Sequence, residues 1–354
     1  MEGNVRRVRK TNKVAHNTVI SGGIRPMLDI ALEKDLIELL ATNFKAAQIE
    51  ELGKLLFGNF DIYKLLNEQN HITIPARRAA QLLVQHCSEC NCHPKLIHLL
   101  VETDGSQFMG RQANVEGIEL FLDKLTGSGL AYDFSRRQVI KIKDDPFELM
   151  NWGSLRNGRS YPLTVLSLDV VGSSALSRSH GARKVGKALF QLAQHVKDRL
   201  RPYDGRIWNW NGDGGIIAFA FKEHEVRAVQ FALELQLTMP VLNTRMELPD
   251  KVDLALRAGL DSGKLTFAND VGAIVSDVIN YACHLEKSAV PAGSIGLSKT
   301  LHACLPARLA APFSKRITFQ DREAVLIPGR IDNLYHRPDG TDNEPELMGR
   351  IAAG

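Results

Sequence analysis

Two aspartates stand where paired carboxylates can do chemistry. Asp169 closes Leu163 to Val171, a nearly continuous apolar run with the pattern of a buried strand. Asp213 lies in Asn211-Gly212-Asp213-Gly214, between two short runs at 205–210 and 215–221, and Asn-Gly at such a junction is the strongest short-range hairpin signal. With the hairpin beside the first strand, the two carboxylates meet at strand ends and repel each other unless cations lie between them. They are then natural ligands for a pair of Mg²⁺ or Mn²⁺ ions. Two such metals lower the pKa of an attacking hydroxyl and stabilise a departing phosphate oxygen. Each aspartate also has an ordinary alternative, Asp169 as a cap on the next turn and Asp213 as a turn-former. Their joint placement in one supersecondary unit favours the metal site. Gly172-Ser173-Ser174, just after Asp169, offers backbone N–H groups to a triphosphate, or else forms a plain strand-to-helix turn.

The elements that must position these residues begin at Tyr161. A strand at 163–171 is followed by a helix at 178–200, the hairpin, a helix at 223–237, a strand at 252–261, a helix at 277–288 and a strand at 294–297. Strand, helix, strand, strand, helix, strand is a ferredoxin-like split βαβ unit, so the fold class is α+β. Upstream, residues 27–102 carry helical periodicity almost throughout, with breaks at Gly58-Asn59, before Pro75 and at Asn91 to Pro94. They read as a small all-α bundle of about five helices. The expected organisation is a basic arm at 1–26, a helical domain at 27–103, a linker and bridge at 104–160, the α+β domain at 161–335 and a frayed tail at 336–354. The bridge is expected to hold a short helix near Glu116 to Leu125 and a strand near Gln138 to Ile142.

Composition narrows the partners. The chain has 354 residues, enough for about two domains of ~150 residues each. Its net charge of +4 is local: residues 1–13 hold five of the 44 basic residues and one of the 40 acidic ones, so the remainder is balanced. A balanced body offers no broad nucleic-acid face. No apolar stretch reaches the ~18 residues that span a bilayer, and no apolar run follows the N-terminal charges as in a signal peptide, so a cytoplasmic location is expected. Five cysteines without framework spacing fit a reducing compartment. Three of them crowd into His86 to His93, but zinc sites draw on two separated ligand pairs and no second cluster exists.

Four segments in order carry a family resemblance. They are Leu168-Asp169-Val170-Val171-Gly172-Ser173, the hairpin Asn211 to Phe219, the strand Leu256 to Gly263 and the helix Val278 to Glu286. Together they resemble the catalytic domain of class III nucleotidyl cyclases over about residues 160–305. The resemblance implies conversion of a nucleoside triphosphate to a 3′,5′-cyclic nucleotide and pyrophosphate, in composite sites at a head-to-tail homodimer interface. It implies two Mn²⁺ or Mg²⁺ ions per site on Asp169 and Asp213 with Val170 beside them, and phosphate contacts from Val170, Gly172 and Ser173. Asn280 would orient the ribose or the reacting phosphate. His284, four residues on and on the same helix face, stands where the family has a transition-state arginine. It supplies charge only when protonated, so a core histidine is the competing explanation.

Two further departures fall on the base-reading positions, which are Asn209 and Ala273. A site built to hydrogen-bond a purine loses several kcal/mol of discrimination when both partners go. Similar departures occur in the bacterial pyrimidine cyclases of Pycsar-type antiphage systems, which use UTP or CTP, and the Asn209 amide can face either base. The helical region is similar to effector-associated or death-like adaptor domains. It would recruit a partner, with the product acting on a downstream cyclic-nucleotide effector, or else only stabilise or dimerise the chain. The leading expectation is a UTP cyclase, ahead of CTP. A purine cyclase with unusual base contacts and a catalytically dead nucleotide-binding adaptor remain open. A polymerase palm shares the two-aspartate hairpin but lacks a basic duplex track here.

Overall fold

The computed structural model describes residues 28–66, 73–142, 145–246, 248 and 252–331. The expected basic arm at 1–26 and tail at 336–354 lie outside these residues.

Five helices form where leucine-rich stripes recur: α1 (Ile30–Asn43), α2 (Ala46–Phe57), α3 (Ile62–Leu66), α4 (Ala76–Glu89) and α5 (His93–Thr103). The Asp29 carboxylate accepts the Leu32 N–H at 2.8 Å and starts α1. Leu36, Leu40, Ile49, Leu52, Leu83 and Leu96 are fully buried and interlock the helices. At about 1.5–3 kcal/mol for each large apolar side chain, such burial outweighs the helix propensities.

The described residues of the stretch expected to be linker and bridge form packed elements. A small hairpin, β1 (Gln107–Phe108) with β2 (Arg111–Gln112), precedes α6 (Ile118–Gly127), β3 (Leu130–Asp133) and β4 (Gln138–Lys141). Phe121, Leu122, Leu125 and Tyr132 join the same apolar core as the five helices. Asp104, at the start of this stretch, is buried, because its carboxylate accepts the Val115 N–H and pairs with Arg156 and Arg159.

The α+β unit comprises β5 (Ser160–Val170), α7 (Ser173–His180), α8 (Ala182–Leu200), β6 (Arg206–Trp210), β7 (Gly214–Ala220), α9 (His224–Asn243), β8 (Leu256–Thr266), α10 (Asp277–Ala289), β9 (Ser294–Ser298), α11 (Lys299–Ala303), α12 (Ala307–Ala310), β10 (Lys315–Phe319) and β11 (Arg322–Leu326). Its sheet runs β10-β11-β9-β8-β5-β7-β6. β5 pairs antiparallel with β7 and β8, and β8 pairs parallel with β9. The expected βαββαβ order is therefore present, the strand expected at 294–297 is β9 beside β8, and β10 and β11 extend that edge. Where one helix was expected at 178–200 there are two, since α7 begins at Ser173 and Gly181 separates it from α8.

Strand alternation divides the core. Leu166, Leu168 and Val170 of β5 and Leu256, Ala258 and Leu260 of β8 join the cluster formed with α8 and α9. Leu163 and Val165 join Val278 and Ala282 of α10. By the period of two, Asp169 and Ser167 of β5 and Arg257 and Asp261 of β8 fall on the α10 side. Among the described residues, no helix is long and apolar enough to cross a membrane.

Candidate active site

At the end of β5, Asp169 lies opposite Gly214 of β7 on one side and Arg257 of β8 on the other. Asp213 follows at once: the Val170 N–H donates to the Asp213 carbonyl at 3.0 Å. Strand pairing thus brings the two aspartates together, as their sequence positions imply. Gly214 makes the approach possible, because a Cβ there would sit 2.1 Å from the Leu168 carbonyl oxygen. Val170 is buried, at 1% exposure, so only its backbone can serve a ligand.

Gly172 turns the chain from β5 into α7 at φ 71°, a left-handed conformation that suits glycine. Ser173, the first residue of α7, donates its hydroxyl to Asp213 Oδ2. Asp169, Val170, Gly172, Ser173 and Asp213 therefore form one cluster at the mouth of the β5–α7 turn.

Sequence reasoning missed the cation in this cluster. Arg257 donates to Asp169 Oδ2 from Nη2 at 2.6 Å and from Nε at 3.1 Å, and from Nη1 to the Lys287 carbonyl at 3.1 Å. Its Nε also lies 2.5 Å from Oε1 of Glu286. Glu286 is 6% exposed, and burial pushes its carboxyl up to about 7, against the opposing pull of Arg257. The available signal was alternation, which places Arg257 on the Asp169 side of the sheet.

The base-reading candidates form a second group. A register shift between Ile207 and Asn209 places Trp208 in a bulge, leaving Asn209 exposed while Trp208 is buried. Ala273 ends a short 3₁₀ turn, Val271–Ala273, that packs on β6. The structure thus brings the Ala273 turn against the strand carrying Asn209. Both side chains are exposed.

Asn280 and His284 are exposed on successive turns of α10, a helix whose N-terminus is capped by the Ser276 hydroxyl accepting from the Ile279 N–H at 3.1 Å. His284 is therefore not a core histidine. Its Nδ1 is 2.8 Å from Nε2 of Gln320, in the β10–β11 turn, another residue the sequence did not single out. Among the described residues, neither Asn280 nor His284 hydrogen-bonds to Asp169 or Asp213. The two groups connect through Glu286, which is on the same helix and reaches Arg257.

The donor set fits a hard divalent ion. Asp169 and Asp213 supply carboxylate oxygens, and no third His, Cys, Asp or Glu gathers with them among the described residues. Mg²⁺ is commonly held in this way, by one or two carboxylates with the remaining ligands from phosphate and water.

Residues 156–337, just over half of the chain, match the family described as the adenylate and guanylate cyclase catalytic domain. The dimeric guanylyl cyclase domain of the RhoGC fusion protein from the aquatic fungus Blastocladiella emersonii is 18% identical, covers 50% of this chain and 99% of its own, and has a TM-score of 0.42. The adenylyl cyclase CyaB from P. aeruginosa is 22% identical, with 49% and 97% covered and a TM-score of 0.40. The guanylate cyclase domain of RhGC from Catenaria anguillulae, solved with GTP, is 18% identical, with 49% and 99% covered and a TM-score of 0.41. No curated protein matches the sequence. With the family match spanning the carboxylate pair, the hairpin and α10, the chain belongs to the adenylate and guanylate cyclase catalytic-domain family and carries a nucleotidyl cyclase domain.

Proposed function

We propose that this chain cyclises a pyrimidine nucleoside triphosphate, UTP in preference to CTP, to its 3′,5′-cyclic monophosphate with release of pyrophosphate. The observation that carries the pyrimidine reading is the pair Asn209 and Ala273. The turn bearing Ala273 packs on the strand bearing Asn209, yet Ala273 has no polar side chain and one amide remains to read the base. A purine would leave hydrogen-bonding edges unanswered, whereas the Asn209 amide, one donor group and one acceptor, matches a uracil or cytosine edge.

In the reaction the ribose O3′ forms a bond to the α-phosphorus while the bond from that phosphorus to the bridging β-phosphate oxygen breaks. The hydroxyl proton passes to solvent water, and pyrophosphate carries away the negative charge. Asp169 and Asp213 would hold Mg²⁺ or Mn²⁺, two ions per site, which when bound acidify the hydroxyl and neutralise the leaving group. Gly172 and Ser173 present backbone N–H groups to the phosphates at the start of α7, beside the Val170 backbone. Asn280 aligns the ribose and the reacting phosphate. His284, whose Nδ1 is 2.8 Å from the Gln320 amide nitrogen, stands beside Asn280 where it would face the phosphate.

Two copies complete the site. Asn280 and His284 stand exposed on α10 without reaching the carboxylates of their own chain, which suits a head-to-tail homodimer pairing one copy's α10 with its partner's Asp169 and Asp213. The helical domain would recruit an adaptor partner. The cyclic product would act as a second messenger in antiphage defence, through a cyclic-nucleotide-gated effector, in the manner of Pycsar-type systems.

The deciding experiment incubates purified full-length protein with each of the four NTPs and Mn²⁺ and identifies products by mass spectrometry. Cyclic UMP is expected as the main product. Cyclic AMP or cyclic GMP as the main product would replace this reading with a purine cyclase, and no turnover of any NTP would leave a nucleotide-binding adaptor.

A further inference from the structure

Asp169 and Asp213 are each held by one oxygen and left open at the other. Ser173 donates its hydroxyl to Asp213 Oδ2, and Arg257 donates from Nη2 and Nε to Asp169 Oδ2. Among the described residues, neither Oδ1 accepts a hydrogen bond. A carboxylate pinned in this way keeps its second oxygen for a ligand, and little rotamer freedom remains to be lost when the ligand arrives. The Arg257 contact is set by the sheet. Arg257 lies directly across from Asp169 in the β5–β8 pair, so both side chains rise from one face.

Arg257 is itself braced from the far side by α10. Its Nη1 donates to the Lys287 carbonyl at 3.1 Å, and its Nε lies 2.5 Å from Oε1 of Glu286, whose Oε2 accepts the Ser167 hydroxyl at 3.3 Å. Gly259, two residues along β8 on the same face, lets the helix come this close: a Cβ there would lie 2.4 Å from the Ala282 carbonyl oxygen and 2.6 Å from the Glu286 nitrogen. The Arg257 side chain is 21% exposed and that of Glu286 8%, so neither turns readily to solvent. Glu286 also resolves a conflict of charge. A lone guanidinium 2.6 Å from Asp169 would repel an arriving cation, whereas with Glu286 ionised the three groups sum to one negative charge. Lysine could supply the charge but not the planar fork that aims two N–H groups at one oxygen and a third at the helix carbonyl.

We propose that Arg257 is the positioning residue of the metal site: it fixes Asp169 with one carboxylate oxygen open to Mg²⁺ or Mn²⁺, while Glu286 holds it in place and offsets its charge. The inference rests on the reading of Asp169 and Asp213 as metal ligands, and Arg257 acts through Asp169.

The test is titration of the full-length protein with Mn²⁺ alone, following the electron paramagnetic resonance signal of the free ion, with the melting temperature of each protein measured beside it. It is run at about pH 8, where Glu286, pushed up to about 7 by burial, is ionised. Wild type is expected to bind Mn²⁺ and Asp169→Ala to lose that binding. Arg257→Lys keeps the charge and loses the fork, and is expected to weaken the binding about tenfold, the lower end of what the outer partners of a metal ligand contribute. Glu286→Gln keeps the shape and removes the counter-charge, and a smaller loss in the same direction is expected. A purely structural ion pair would lower the melting temperature and leave the Mn²⁺ affinity of the folded protein as in wild type. Wild-type affinity in a folded Arg257→Lys overturns the proposal while the Asp169-dependent site stands, as does wild-type affinity in Glu286→Gln where Arg257→Lys does not fold. Binding that survives in Asp169→Ala, or is missing from wild type, overturns the metal reading and this inference with it.

Discussion

Arg257 holds two carboxylates at once, Asp169 at the candidate metal site and Glu286 inside the α10 packing. Asp169→Asn keeps the side-chain volume and an acceptor for Arg257 but removes the charge that a divalent ion requires. The expected result is a fall in cyclase rate of at least about 100-fold, the scale on which transition-state electrostatics is lost, with a melting temperature within a few degrees of wild type. A variant that retained metal-dependent activity would remove Asp169 from the site. Glu286 makes a separate, pH-dependent contribution. Its folded-state value, raised to about 7 by burial, lies above the ordinary 4.5, so the stability it supplies is complete below 4.5 and lost as pH rises through 7. Between pH 5 and 8 the wild type is expected to lose on the order of 1–3 kcal/mol from this group. Urea midpoints of Glu286→Gln are expected to vary less across that range, and equal slopes for the two proteins would refute the assignment. Asp169 and Asp213 were legible in the sequence because residue type and strand-end position coincide. Arg257 and Gln320 were not, because their meaning depends on partners 88 and 36 residues away.

Elements differ in how far local chemistry announces them. The β6–β7 hairpin was readable from Asn211-Gly212, whose turn code is local, and β5 from its apolar run. The β10–β11 hairpin was not foreseen, because its turn residues Gln320 and Asp321, at φ 49° and 58°, are not the glycine-containing pairs that signal such turns. That turn nevertheless sets the Gln320 amide against His284, so an element without a sequence signal supplies a contact to the candidate site. The hairpin that carries Asp213 has a stricter requirement. A Cβ at 214 would lie 2.1 Å from the Leu168 carbonyl oxygen and 2.9 Å from the Asp169 Cα, both backbone atoms of the central strand. Gly214→Ala must therefore push β7 from β5, and a loss above about 3 kcal/mol is expected from such overpacking. The Tm and the cyclase rate are expected to fall together, whereas a variant with wild-type Tm and activity would show that the strands tolerate separation.

At the scale of the whole molecule, the helical unit and the cyclase unit are joined by charge. Asp104, at the end of α5, is 3% exposed in its side chain and receives Arg156 at 3.1 Å and Arg159 at 2.6 Å from the segment leading into β5, together with the Val115 N–H at 3.0 Å. This junction was not legible beforehand, since a polar, glycine-containing stretch reads as a linker until its aspartate is found to be buried against arginines more than 50 residues away. A second, half-buried acid faces the same junction. Asp123 of α6 is pushed up to about 7, first by burial and then by Asp204, with Arg206 and Arg227 of the cyclase unit pulling the other way. Removing one member of a buried ion pair costs about 3–5 kcal/mol, because the remaining charge is left uncompensated. Arg156, at 14% side-chain exposure, would be that charge, while the more exposed Arg159 can turn to solvent. Asp104→Ala is therefore expected to loosen the junction before it damages either hydrophobic core, since the helical and sheet clusters share no buried residue. Calorimetric melting is expected to change from one cooperative transition to two, with the earlier belonging to one separated unit. Asp104→Glu, which retains the charge, is expected to restore much of the coupling. A single unshifted transition in Asp104→Ala would mean that apolar contact, and not this carboxylate, holds the two units as one body.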